Sequence, residues 1–173
     1  VRWGKIYVPG SWQAQGFGLD YHGIGWYKRE IDIRKIWQQK HIRLHFNGVS
    51  TIAMIWVNGQ YAGEHAGNWA PFVINITKYL NIGSNNTIIV RVKEDQNHFS
   101  AGFPLVVGMH YGGIWQSVSM STSGNVVIDD VFVKTSYKKS TMEITVDTSG
   151  DNANSIILYE ISDPEDNICA SGK

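Results

Sequence analysis

Apolar and polar residues alternate with a period of two along much of the chain, and no segment keeps a helical period beyond a turn or two. In residues 26–33, Tyr27, Arg29, Ile31 and Ile33 share one face, and Trp26, Lys28, Glu30 and Asp32 share the other. That alternation predicts a half-buried antiparallel strand. Ile42, Leu44 and Phe46 alternate with Arg43 and His45 in the next strand. Residues 34–40 between them are too few for a stable helix. Asn47-Gly48 turns the chain into a hairpin over 52–72, whose arms flank Asn58-Gly59. Asn-Gly between apolar runs is the strongest local hairpin signal, because both turn positions need positive φ. Residues 72–76 predict a further strand, and Thr77 offers its hydroxyl as the cap of a single turn over 78–80. Residues 87–92 (TIIVRV) are almost all β-branched, the mark of a central strand, and 114–120 predict the strand that closes the domain.

Two stretches break the alternation. Residues 16–25 (GFGLDYHGIG) form a glycine-rich loop, and 93–113 run for about twenty residues without a period. Loops of that length are usually functional or disordered, and the aromatics and glycines here argue against disorder. After a polar hinge at 121–125, residues 126–136, 141–148 and 155–162 predict three strands. An immunoglobulin-like sandwich takes about seven, so the chain is expected to stop inside its second domain.

Composition narrows the classes of partner. Fifteen Lys and Arg balance fifteen Asp and Glu, which argues against bulk electrostatic binding to nucleic acid or an anionic membrane. No apolar run reaches the roughly 18 residues of a membrane-spanning helix. The chain opens without methionine, as expected of a cut or processed end, so the lack of a signal segment carries no information. Seven tryptophans and eight tyrosines suit a large β core, and the same flat faces suit sugar rings.

Candidate chemistry is sparse. His41 and His45 share a strand face with no third ligand nearby, so no metal site is predicted, and nothing calls for a cofactor. No helix follows the glycines to make a phosphate cradle. Cys169, the single cysteine, is read in a polar turn near the last residue, with no histidine partner. Glu94-Asp95 and Asp129-Asp130 are adjacent pairs, but neighbours on a strand point to opposite faces, so neither makes a catalytic pair.

Six motifs then carry a resemblance. They are VPGSWQ (8–13), GIGWYKREIDI (23–33), RLHFNGV (43–49), WVNGQYAGEHAGNWAPFVINIT (56–77), NNTIIVRV (85–92) and YGGIWQSVSM (111–120). In this order and spacing the chain resembles the N-terminal sugar-binding domain of glycoside hydrolase family 2, which holds β-galactosidases, β-glucuronidases and β-mannosidases. The resemblance implies an all-β chain: a jelly-roll, galactose-binding-like sandwich over 1–123, then the first strands of an immunoglobulin-like sandwich over 124–173. It implies that the two catalytic glutamates stand on a (β/α)₈ barrel outside this chain, so the chain alone is expected to be inactive. Its role would be to brace that barrel, to help shape a carbohydrate cleft shared with it, and to offer a surface to a homo-oligomer of the parent enzyme. The alternative is a free-standing carbohydrate-binding module. In the family, loops of this domain reach the substrate, which makes Asp95, Asn97 and His98 after the VRV strand, and Asp20 and Tyr21 before GIGWY, the candidate contacts. This chain reads VRVKEDQN where members often read VRVDN. Trp69 and His65 are candidates for contact with a neighbouring domain.

Overall fold

The computed structural model describes residues 2–19, 21–95, 111–150 and 155–173. Eleven strands and short 3₁₀ turns make up its regular structure, with no α-helix among the described residues. The chain divides into two units, with the boundary between Thr122 and Ser123.

The first unit is a two-layer sandwich. One sheet runs in the order β1 (Ile24–Asp32), β6 (Asn85–Lys93), β3 (Ile52–Val57), β4 (Gln60–Ala66). The other runs β5 (Phe72–Asn75), β2 (His41–Phe46), β7 (Val118–Ser123). The predicted central strand lies between two antiparallel partners, with Val90 opposite Tyr27 on one side and Ile55 on the other. The period-two pattern becomes a core: Ile42, Leu44 and Phe46 pack with Ala53, Ile55, Val57, Ile88, Val90 and Val92. Each Val, Leu, Ile or Phe side chain among them contributes about 1.5–3 kcal/mol on full burial. Phe46 stacks on Phe72 at 4.8 Å between ring centroids, which ties β2 to β5 by their side chains as well as their ladder.

Asn58-Gly59 closes the β3–β4 hairpin with φ of 50° and 78°, as the sequence predicts. Asn47-Gly48 works differently, because β2 and β3 belong to opposite sheets. It carries the chain across the sandwich, and residues 114–117 run beside it. Gln116 donates its N–H to the Gly48 carbonyl at 3.2 Å, and Asn47 donates its own to Ser117 at 3.1 Å. The closing strand therefore starts at Val118, four residues later than the alternation suggests. Its expected first residue, Ile114, is instead buried in the core. Thr77 also departs from expectation. Its hydroxyl accepts the N–H of Ile42 at 2.8 Å, while the Asn75 side chain takes the Thr77 N–H at 3.1 Å.

The second unit holds two antiparallel hairpins, β8 (Val126–Ser136) with β9 (Thr141–Gly150), and β10 (Tyr159–Ser162) with β11 (Ile168–Gly172). The last strand corrects the reading of Cys169 as part of a polar turn. The turn is at 163–167, where Asp163 Oδ1 accepts the N–H groups of Glu165 and Asn167, and Cys169 sits within β11.

Candidate functional site

Where β6 ends, the chain places two neighbouring carboxylates in different surroundings. The Glu94 side chain is fully buried. Its Oε1 lies 3.0 Å from Nδ1 of His22, and its Oε2 accepts the side-chain N–H of Gln13 at 3.3 Å. The Glu94 backbone N–H reaches the Gly23 carbonyl at 2.8 Å. Asp95, one residue on, is partly exposed and pairs with Lys93 Nζ at 2.7 Å. Its backbone N–H goes to the hydroxyl of Thr51, a fully buried residue, at 3.2 Å. The divergence is the strand alternation at work: Glu94 continues the inward row of Val90 and Val92, and Asp95 does not.

Gln13 completes the cluster. Its Nε2 also donates to the Tyr21 carbonyl at 3.1 Å, and its Oε1 accepts the N–H of Gly112 at 3.0 Å. Next to it, Trp12 is buried, and its ring meets Tyr21 edge-on at 5.4 Å. A Cβ on Gly112 would fall 1.8 Å from that indole, so only glycine fits there. The Tyr21 hydroxyl donates to the Ile24 carbonyl at 2.8 Å. The Tyr27 oxygen accepts the Ile114 N–H at 3.3 Å, and burial raises its pKa against that bond.

The two stretches singled out as substrate contacts thus meet through Gln13 and Glu94: Gln13 bonds the Tyr21 carbonyl and the side chain of Glu94, the residue before Asp95. Asp20, Asn97 and His98 lie outside the described residues. Glu94, Gln13 and His22 escaped the sequence reading as a group, because nothing local marks an amide at position 13 as the partner of a carboxylate 81 residues away. The VPGSWQ motif, which contains both Trp12 and Gln13, was the available signal.

Trp69 and His65 separate. Trp69 is exposed and packs edge-on against Trp115 at 5.2 Å, whose indole N–H is held by the Asn68 carbonyl at 3.2 Å. His65 stacks flat on Phe72 at 4.3 Å, and burial lowers its pKa. A cleft of about 540 Å³ opens on the β1 side, lined by Trp3, Phe17, Trp26 and the edge of Trp12 among others.

Chemically the cluster offers hydroxyl groups a partly exposed acceptor at Asp95. Both Glu94 oxygens are engaged in the interior. Asp129 and Asp130 sit in the second unit at a bulge in β8. Among the described residues, no group of three or more His, Cys, Asp or Glu is arranged to hold a metal ion.

Comparison with known proteins extends this picture. The profile for "Glycosyl hydrolases family 2, sugar binding domain" matches residues 14–124. A β-galactosidase of Thermoanaerobacter pseudethanolicus is 31% identical over 158 residues, covering 88% of this chain and 21% of that protein. A β-glucuronidase of Bacteroides fragilis is 33% identical over 67% of this chain and 17% of its own length. The β-glucuronidase of Ruminococcus gnavus in complex with uronic isofagomine shares the fold over 96% of this chain and 31% of its own, with a TM-score of 0.73 at 20% identity. The chain therefore spans about a fifth of the length of the curated relatives it matches. The chain belongs to glycosyl hydrolase family 2 and carries that family's sugar-binding domain.

Proposed function

We propose that this chain is a non-catalytic region of a retaining β-glycosidase, in which the sandwich braces a catalytic barrel and lends Asp95 and Tyr21 to the rim of its substrate cleft. The observation that carries the reading is the meeting of the stretch before β1 with the stretch after β6. A rim contact needs a partly exposed acceptor on a rigid support, and Asp95 sits beside a buried, hydrogen-bonded carboxylate at the end of the central strand. Retention requires two carboxyl groups about 5–5.5 Å apart, which this reading assigns to the barrel. The substrate class is a terminal β-linked sugar, in keeping with the galactosidase and glucuronidase names of the relatives.

One observation favours a second reading, a carbohydrate-binding module. Trp26, Trp56 and Tyr61 form a chain of ring contacts at 5.6 and 5.7 Å on the outer face of the four-stranded sheet, with Trp26 and Tyr61 exposed. Assaying the purified 173-residue chain with aryl β-glycosides, and titrating it with galactosides, glucuronides and mannosides, separates the readings. No turnover and no saturable binding are expected. Turnover would overturn the assignment of the catalytic carboxylates to another domain, and micromolar binding would favour the module.

A further inference from the structure

We propose that Gln13 and Glu94 are positioning residues that form a clasp setting the place of Asp95 at the cleft rim. The inference rests on the reading of Asp95 as a substrate contact and adds what holds it there.

Gln13 is bonded through both ends of its amide. Its nitrogen donates to Glu94 Oε2 and to the Tyr21 carbonyl, and its oxygen accepts the Gly112 N–H. A flipped amide would present a donor to the Gly112 N–H and an acceptor to two oxygens, so one orientation satisfies all three bonds. The neighbouring backbone reinforces the arrangement, with the Trp12 N–H on the Gly112 carbonyl at 3.0 Å and the Glu94 N–H on the Gly23 carbonyl at 2.8 Å. One side chain therefore ties together the segment before β1, the residue that precedes Asp95, and Gly112 far along the chain.

Glu94 is more than a core residue in this arrangement. A buried carboxylate is costly unless its oxygens are bonded, and a hydrophobic residue would fill the same space without that cost. Its oxygens are used to reach two different segments, through Gln13 and His22. The adjacent Asp95 has a second tether, its N–H to Thr51. A polar contact to a substrate must be held within about 0.5 Å of its productive place, and a displacement of about 1 Å can cost on the order of 10²-fold in rate. The clasp and the Thr51 tether together supply that constraint on the backbone of residues 94–95.

The test uses the full-length enzyme that carries this chain, with kcat/KM on an aryl β-glycoside and the melting temperature read for each variant. Glu94→Ala and Gln13→Ala are expected to lower kcat/KM by about tenfold or more, within the range that misplacement produces. Glu94→Gln keeps an acceptor for Gln13 and a partner for His22, and is expected to recover to within about threefold. Adding Glu94→Ala to Asp95→Ala is expected to cost no more than about twofold beyond Asp95→Ala alone, because the two changes remove one contact. Unchanged kcat/KM in Glu94→Ala and Gln13→Ala, with or without a lower melting temperature, would overturn the proposal. Full additivity in the double variant would overturn it too, by showing that Glu94 does not act through Asp95. Should Glu94→Ala fail to fold, Gln13→Ala and its double with Asp95→Ala decide in its place. An impaired Asp95→Ala beside unaffected clasp variants removes the clasp alone. An unaffected Asp95→Ala removes the substrate reading, and the clasp's role with it.

Discussion

His65 and Phe72 lie face to face, 13° from parallel, so the imidazole behaves as part of an aromatic layer. Burial lowers its pKa from the ordinary 6.5, and Nε2 has no hydrogen-bond partner. The folded chain thus keeps His65 neutral where the unfolded chain would protonate it. Its contribution to stability is complete above about pH 6.5, the unfolded value, and is lost as the pH falls from there through the lowered folded value. His65→Phe keeps a flat ring on Phe72 and removes the titrating nitrogen. Urea melts of both proteins across this pH range should show a smaller acid loss in the variant, and equal acid sensitivity would contradict the account. The sequence marks His65 as a candidate for contact with a neighbouring domain, but not its ring contact, because His65 lies in β4 and Phe72 belongs to the opposite sheet. The position of Asp95 just past β6 was more legible, since the β-branched run marks that strand, while its candidacy as a substrate contact rests on the family resemblance. The burial of Glu94 was not, because it depends on Gln13 and His22, which come from distant segments.

Among the elements, the β3–β4 hairpin joins a local signal to a distant one. Asn58 and Gly59 take the positive φ that the turn demands, which the sequence states directly. The Asn58 amide does more: it donates to the Tyr79 carbonyl at 2.8 Å and to Asn86 Oδ1 at 2.7 Å, and accepts the Thr87 N–H at 2.9 Å. Asn86, itself buried, passes the network on to Asn81 and Ser84. The turn is therefore fastened to the start of the central strand and to the 3₁₀ turn at Thr77–Tyr79. Asn58→Ala leaves the Thr87 N–H and the Tyr79 carbonyl without this partner and should cost about 1–3 kcal/mol. Asn58→Asp, which can accept from Thr87 but cannot donate, should fall between the two. Denaturant midpoints measure both, and an Ala variant as stable as the parent chain would show that the turn alone carries the hairpin. Strands with clean alternation, such as β2, β3 and β6, were legible because one face of each is buried. The start of β7 was not, because Gln116 and Ser117 spend backbone hydrogen bonds on the Asn47-Gly48 crossing, and Ile114 spends its own on Gly10 and Tyr27. The last strand, β11, is short and follows a turn whose Asp163 and Asn167 side chains close it, and its apolar content is only Ile168, Cys169 and Ala170.

At the scale of the molecule, the family was legible because six ordered motifs map onto the elements that build the first unit. The Trp12-Gln13 motif lies against Gly112 and Glu94, the strand motifs form the two sheets, and the hairpin motif supplies β3 and β4. What the motifs do not encode one by one is the convergence that gives the chain a candidate role. The loop before β1 and the end of β6 are about seventy residues apart in sequence, and only the antiparallel pairing of β1 with β6 brings Ile24 opposite Lys93. That pairing brings two unrelated stretches together, and the buried Glu94 carboxylate and the half-buried Gln13 amide bond them to each other. The account's central claim is that this junction meets the sugar. A crystal structure of the full-length enzyme with a sugar-mimicking inhibitor in its active site tests it directly. The account predicts the Asp95 carboxylate within about 3.2 Å of an inhibitor hydroxyl, a hydrogen-bond distance; Asp95 turned to bulk solvent, with no residue of this chain at the inhibitor, would contradict it.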